Sequence, residues 1–129
     1  MTPQIATNPE QSRRLASCGV DPATADMVWL NRGKQESYLT FNVGCNRAIP
    51  AVGDIPAWSL STLLEMLPNC IMAENRKQFT LSICKCKDAY VVDYEDIHTS
   101  LHQSNGATAI EAVVRMIETL RFHKHELKG

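Results

Sequence analysis

The sequence predicts a single α+β domain in which an antiparallel sheet of about four strands is covered by helices. Two observations support this fold class. Amphipathic helical segments are separated by strand-like segments, and the strand-like segments occur as neighbouring pairs that suit hairpins. The chain has 129 residues, of which 44% are hydrophobic and 21% charged, as in ordinary globular domains. The predicted order is α-β-β-α-β-β-α, with a flexible tail at 1–7 and the domain at 8–129.

The N-terminal half begins with a helix predicted from Pro9 to Cys18. Asn8 offers its side chain as an N-cap, proline suits the first helical position, and Gly19 supplies a left-handed stop. The cap-then-proline pattern is repeated in "DPAT", which predicts a single helical turn. "DMVWL" and "YLTFNV" are then strand-like, and the polar "NRGKQES" between them suits a hairpin loop.

The C-terminal half starts from "GCNRAIPAVGDIPA" at 44–57, whose glycines and prolines predict an extended surface loop. "WSLSTLLEMLP" predicts a short middle helix capped by Ser59 or Ser61. "QFTLSICK" and "AYVVDYED" predict a second hairpin, and the polar segment after it is predicted to be a loop. The last helix begins with a capping box of Thr108 and Glu111. Its apolar face consists of Ile110, Val113, Val114, Ile117 and Leu120.

Charge and cysteine content limit the classes of function. Thirteen basic and fourteen acidic residues give a formal net charge of -1, without the basic face of a nucleic-acid binder, so no nucleic-acid partner is expected. No apolar run approaches the roughly 18 residues of a membrane span, and the N-terminus lacks the pattern of a secretory signal. The five cysteines are an odd number, which favours reduced thiols and a cytoplasmic location.

Residues 9–28 share a helix-turn-helix pattern with DNA-binding regulators, and such a regulator is the second alternative function. In this motif the second helix contacts base edges and phosphates. Here that helix would carry Asp21 and Asp26 and no Arg or Lys, and "MVWL" has strand character where the helix should continue. Because carboxylates repel the DNA backbone, the sequence favours a helix, a turn and a one-turn helix that leads into a strand.

A near-match to a Cys2His2 zinc site lies at 84–102. Cys84 and Cys86 precede His98 and His102, with eleven residues between the two pairs. Zinc fingers use C-x2-4-C, about twelve residues and H-x3-5-H, so two of the intervals are one residue short. In addition, a strand is predicted at the position that the helix occupies in a zinc finger. A structural zinc-binding protein that uses these four residues is therefore the first alternative function, and a hairpin followed by a loop with two ordinary histidines is favoured.

Other polar residues do not predict chemistry. His123 and His125 are two residues apart, so on a helix they point to different sides and cannot chelate one metal ion together. A solvated helix end is favoured over a metal-binding or pH-sensing role. Cys45 lies in a loop, and a nucleophile would need a base that the sequence does not identify. The common phosphate-loop, dinucleotide, metalloprotease and hydrolase motifs are missing, so we expect no catalytic residue, no cofactor and no enzyme.

The apolar, proline-containing loop offers a partner-binding surface. Ile49, Val52, Ile55 and Trp58 would form this surface if they are exposed, because large exposed apolar patches usually mark binding sites. Alternatively, Ile55 and Trp58 fold over the sheet as core residues. Burial is favoured for Trp58, since tryptophan is highly buried on average.

Three blocks of sequence resemble a family of small α+β proteins of gut Bacteroidetes genomes, often found near mobile or prophage-like regions. The blocks are "EQSRRLASCGVDPATADMVW", "DIPAWSLSTLLEMLP" and, after the hairpin, "AIEAVVRMIETL". With the last helix, the resemblance covers most of the chain. It implies an architecture and a genomic setting, and it implies no reaction. The chain departs from the family in its longer middle loop and in the cysteines and histidines of its second hairpin.

The sequence thus predicts a small non-catalytic cytoplasmic interaction or accessory protein. Its expected partner is another protein or a second copy of itself in a homodimer, and no membrane partner is expected. The zinc-binding protein and the DNA-binding regulator are the two alternatives.

Overall fold

The computed structural model describes residues 4–30, 38–41, 54–125 and 127. Over these ranges the chain forms three α-helices, one 3-10 helix and seven β-strands, which confirms the α+β fold class. The helices are α1 (Pro9–Ser17), α2 (Leu60–Met66) and α3 (Ala109–Phe122), and the 3-10 helix is Pro22–Thr24. The strands are β1 (Met27–Leu30), β2 (Tyr38–Phe41), β3 (Ile55–Ala57), β4 (Cys70–Met72), β5 (Gln78–Lys85), β6 (Tyr90–Glu95) and β7 (Ser100–Gly106).

The strands form two antiparallel sheets within the described ranges. One sheet has the order β2-β1-β3, and the other has the order β4-β5-β6-β7. In the larger sheet Val92 pairs with Ile83 on β5 and with Ser104 on β7. Side chains alternate between the two faces of a sheet, and the face with the fully buried Val92 and Tyr94 packs against α3. The sequence predicted one sheet of about four strands. The structure differs from this prediction because it has a second sheet.

Three strands are found where the sequence predicted none. β3 lies in the stretch predicted as a surface loop, β4 follows α2, and β7 replaces the loop predicted after the second hairpin. Each has a weak local signal, because β3 and β4 have three residues each and β7 is polar. These segments become strands because the backbone groups of a neighbouring strand need hydrogen-bond partners.

The predicted N-cap residues are confirmed, whereas the predicted capping box of Thr108 and Glu111 is not formed, because the Glu111 carboxylate binds Gln11, Arg14 and Arg115 instead. Asn8 caps α1, Ser59 caps α2 and Thr108 caps α3, each by accepting the backbone N–H three residues further on. Gly19 follows α1 with a left-handed φ of 94°, and its N–H donates to the Ala16 carbonyl. Local sequence therefore sets these helix ends, since a cap acts within a few residues.

The segment before α1 is packed, which corrects the prediction of a flexible tail for its described part. Ala6 and Thr7 are buried, and Ala6 makes a β-bridge to the residue that caps α2. The Thr7 hydroxyl shares a hydrogen bond of 2.8 Å with the Ser12 hydroxyl and accepts the Trp58 backbone N–H at 3.0 Å. Because these bonds join the segment to α1 and to the end of β3, the packed domain begins before residue 8.

The core surrounds α3. Seven of the fourteen residues of this helix are buried, and the helix contacts α1, α2, β6 and β7. The buried residues are Ile110, Ala112, Val113, Val114, Met116, Ile117 and Leu120. Burial of a large apolar side chain stabilises a fold by about 1.5–3 kcal/mol, so the packing of α3 is a major source of stability.

Gly106 lies where β7 approaches α3 closely. A Cβ at this position would be 2.6 Å from the backbone nitrogen of Ala112, and a backbone atom cannot move aside as a flexible side chain can. We expect Gly106→Ala to lower the free energy of unfolding by about 1–3 kcal/mol, the usual cost of overpacking. Urea denaturation measures this change.

The neighbouring Ala107 is exposed and provides the control for this substitution. Ala107→Ser should change the free energy of unfolding by less than about 0.5 kcal/mol. If Gly106→Ala were as stable as Ala107→Ser, the close packing of β7 on α3 would be contradicted.

Candidate functional site

The four residues of the predicted zinc site do not converge. Cys84 is near the end of β5 and Cys86 is in the turn to β6, with 4.0 Å between their Sγ atoms. His98 lies in the turn beyond the other end of β6. Because a strand rises about 3.3 Å per residue, this turn is roughly 20 Å from the turn that contains Cys86. Directly paired residues share a face of the sheet. The strand partner of His102 is on the face that packs against α3, whereas the strand partner of Cys84 is on the opposite face, so the two side chains lie on different faces. This zinc site is therefore not formed, because β6 and the two faces of the sheet separate its ligands.

A metal site elsewhere would need several His, Cys, Asp or Glu side chains to converge on one point. Within the described ranges, no three of them are arranged to hold a metal ion. A metal site in these ranges would therefore use fewer than three ligands of these four residue types.

Three of the four histidines meet at the C-terminal end of α3, and we call His102, His123 and His125 the histidine cluster. The ring centroid of His102 lies 4.7 Å from that of His123 and 5.2 Å from that of His125. The Nε2 atoms of His102 and His125 are 3.1 Å apart. The expectation that His123 and His125 point to different sides is wrong, because α3 ends at Phe122, before either histidine.

A reversal of the chain brings His125 to β7. Lys124 has a left-handed φ of 61°, and its N–H donates to the Arg121 carbonyl at 3.0 Å. The N–H of His125 donates to the Leu120 carbonyl at 2.8 Å. This is the Schellman arrangement of a helix C-terminus, which usually has glycine at the left-handed position. Because lysine stands there, the sequence carries no local signal for the reversal, and the cluster could not be predicted.

The environment of His102 favours a neutral imidazole. Burial lowers the pKa of His102, and the neighbouring His123 and His125 lower it further, since a positive charge disfavours another one nearby. At neutral pH the His102 ring is therefore uncharged and keeps a lone pair on one nitrogen. The contact between the two Nε2 atoms is a hydrogen bond in which one ring donates and the other accepts, and the tautomers of the rings decide which one donates.

The apolar loop does not provide the predicted partner surface in its described part. Trp58 is 0% exposed, and its indole N–H donates to the Thr24 hydroxyl at 2.9 Å. Ile55 is half-buried in β3, while Ile49 and Val52 lie outside the described residues. The alternative of a core tryptophan is confirmed, because the buried indole has both apolar neighbours and a hydrogen-bond acceptor.

The helix-turn-helix pattern at 9–28 forms α1, a left-handed turn, the 3-10 helix and β1, which confirms the favoured interpretation. Asp21 caps the 3-10 helix by accepting the Ala23 N–H at 3.0 Å. Asp26 accepts both the backbone N–H and the hydroxyl of Ser59, at 2.9 and 2.6 Å. A helix of one turn is too short to read a DNA groove, and the two aspartates stabilise the fold.

A groove lies between α1 and the C-terminal end of α3, and we call it the α1–α3 groove. Its volume is about 780 Å³. Phe122 is 81% exposed in this groove although it belongs to the helix around which the core is built. The charged and aromatic residues of the lining are Glu10, Arg13, Arg14, Glu118, Arg121 and Phe122.

The arginines of the groove differ in their partners. Arg14 binds Glu111 at 3.1 Å and also pairs with Glu118, and hydrogen bonding to Glu118 raises its pKa. Arg121 donates to the Cys18 carbonyl at 2.9 Å. In the part of the chain that the structure describes, neither Arg121 nor Arg13 forms an ion pair, so two positive charges of the groove are available to a ligand.

Cys18 is the thiol of the groove, and it is not activated. Its Sγ donates to the Leu15 carbonyl at 3.3 Å, and burial raises its pKa. Because the thiolate is the nucleophilic form of cysteine, a protonated and hydrogen-bonded Cys18 is not suited to attack a substrate.

Comparison of the chain with protein-family models, with curated proteins and with solved structures finds no match. The resemblance to the Bacteroidetes family therefore stays a prediction. No helix in the described ranges is both long and apolar enough to cross a membrane.

Glu111 links α1 to α3 and generates a pH dependence of stability. Burial raises its pKa, but hydrogen bonds from Gln11 and Arg14 outweigh this effect, and the pKa is lowered. A carboxyl group with a lowered folded-state pKa stabilises the fold above its unfolded pKa of about 4.3, and this stabilisation is lost as the pH falls through the folded-state pKa. We expect Glu111→Gln to be less stable than the wild type at pH 7 and to lose less stability between about pH 5 and pH 3.

Urea denaturation at a series of pH values measures this difference. Glu74→Gln is the control, because Glu74 is exposed in the turn between β4 and β5, and it should follow the wild type. Equal slopes in Glu111→Gln and the wild type would contradict the role of the Glu111 contacts.

Proposed function

We propose that the protein is a non-catalytic binding protein that holds a segment of another protein in the α1–α3 groove. The observation that carries this proposal is the 81% exposure of Phe122 at the end of a helix whose other large apolar side chains are buried in the core. Aromatic side chains on rigid supports are frequent anchors of protein interfaces. Because α3 is already ordered, Phe122 binds without the cost of fixing its backbone.

The charges of the groove favour an acidic partner segment. The lining has three arginines and two glutamates, a formal excess of one positive charge, and Arg13 and Arg121 have no ion-pair partner among the described residues. A guanidinium group binds a carboxylate through two parallel hydrogen bonds. The partner segment therefore presents an aspartate or glutamate next to an apolar side chain that packs on Phe122.

The chemistry of the groove supports binding rather than catalysis, because Cys18 is protonated and arginine does not exchange its proton at neutral pH. We also propose a cytoplasmic location, where the thiols of the described cysteines, Cys18, Cys70, Cys84 and Cys86, remain free in a reducing environment. The setting near mobile or prophage-like genes follows from the sequence resemblance. A second copy of the chain is the alternative partner.

Selection of peptides from a random display library tests the groove. We expect the enriched peptides to carry an acidic residue beside an aromatic or aliphatic one. The affinity of such a peptide, measured by isothermal titration calorimetry, should fall by more than about tenfold in Phe122→Ala, because a buried aromatic anchor contributes about 2 kcal/mol or more. Arg13→Glu should also lower the affinity for the peptide, since it reverses a charge that faces the peptide.

Ile97→Ala is the matched control for Phe122→Ala. Ile97 is 91% exposed and lies in the turn between β6 and β7, outside the groove, so its removal should leave the affinity unchanged. Equal affinities of the two variants would overturn the proposal. Sedimentation equilibrium identifies the alternative partner, since a dimer that Phe122→Ala dissociates would show that a second copy occupies the groove.

A further inference from the structure

We propose that His102 and His125 together bind a divalent transition-metal ion such as Zn²⁺ or Cu²⁺ at the C-terminal end of α3. The site shares only His102 with the zinc site predicted from sequence. It goes beyond the binding of a partner in the α1–α3 groove and does not depend on it. Its basis is the separation of 3.1 Å between the two Nε2 atoms.

The geometry of the two rings fits a pair of ligands on one ion. Two nitrogens at about 2.0–2.1 Å from a tetrahedral ion lie roughly 3.3 Å from each other. The separation in the protein is within a few tenths of an ångström of this value. The ring planes of His102 and His125 are inclined at 68°, so the rings meet through their nitrogens and are not stacked face to face.

His123 acts as a positioning residue for this pair. The centroid of its ring lies 4.7 Å from that of His102, with 28° between the planes, and 5.2 Å from that of Phe122 in a T-shaped arrangement. Such contacts limit the rotation of a ligand ring, and the orientation of metal-binding histidines depends on their surroundings. The ion then has two protein ligands, and its other positions are open to water.

The backbone places both ligands before an ion binds. His102 is held on β7, where it pairs with the buried Tyr94. His125 is held by the reversal at Lys124, whose left-handed φ of 61° is sterically unfavourable in a residue other than glycine. Strained backbone of this kind persists where the surrounding contacts determine it, and it is found frequently at binding sites.

The ligand type selects the class of ion. Neutral imidazole suits Zn²⁺, Cu²⁺ and Ni²⁺, whereas Ca²⁺ and Mg²⁺ prefer carboxylate, carbonyl and water oxygens. The two ligands of the site are imidazole nitrogens that lie 3.1 Å apart. We therefore expect Zn²⁺ to bind and Mg²⁺ not to bind.

Titration of ZnCl₂ into the full-length, chelator-treated and dialysed protein tests the site by isothermal titration calorimetry. We expect the wild type to bind one equivalent of Zn²⁺ and His125→Ala to bind it more than about tenfold more weakly. His98→Ala is the matched control, because His98 is exposed in the turn between β6 and β7 and lies outside the cluster, and it should bind as the wild type does. His125 follows α3 and lies in no strand, so its removal leaves the sheet intact, which circular dichroism verifies.

The NMR chemical shifts of the imidazole nitrogens give a second readout, and this readout does not depend on the stability of the fold. Zn²⁺ should shift the Nε2 signals of His102 and His125 and leave those of His98 unchanged. The proposal is overturned if the wild type does not bind at about 1 mM Zn²⁺, if His125→Ala retains the wild-type affinity, or if Cys84→Ser alone abolishes binding. Arg13→Glu should retain the affinity for Zn²⁺, so a failure of the groove proposal is distinguishable from a failure of the metal site.

Discussion

The burial of α3 is the constraint on which the rest of the structure depends. A helix that is apolar around most of its circumference must be covered on several sides, and α1, α2, β6 and β7 all contact it. The larger sheet covers one side with Val92 and Tyr94, while α1 and α2 contribute Leu15 and Leu63 to the same core. Elements from both halves of the described chain therefore pack around one helix, because removal of α1, α2, β6 or β7 would expose apolar side chains of α3 to water.

Polar contacts orient the elements that hydrophobic burial brings together. Arg14 joins α1 to two glutamates of α3, and Thr7 joins the N-terminal segment to Ser12 and to Trp58. Individually such bonds contribute about 0.5–1.5 kcal/mol, less than the burial of a large side chain. They are directional, however, and an unpaired buried group would be costly. The buried hydrogen bonds thus explain why the segment before α1 has a single position against the core.

Both proposed binding sites lie where α3 leaves the core. Its last buried side chain is that of Leu120, and the next two residues, Arg121 and Phe122, are both exposed. A residue at such a helix end has a fixed position and is accessible to a ligand, a combination that binding sites require. The reversal after α3 adds His125 to the same end of the molecule, beside His102. The packing of α3 therefore determines where the two sites lie, and the side chains beyond the core determine what they can bind.

The sequence by itself determined the fold class, the caps at Asn8 and Thr108, the apolar face of α3 and the two predicted hairpins, because caps and hydrophobic periodicity act over a few residues. Only the tertiary structure decided that "SLHQSNG" is a strand, since a polar segment pairs where β6 offers backbone groups that need partners. It also decided the histidine cluster. Helical spacing would separate His123 from His125, but α3 ends at Phe122, and the reversal at Lys124 turns His125 towards His102 on β7, beside His123. Strand pairing and chain reversal depend on groups that are distant in sequence, and no local pattern encodes them.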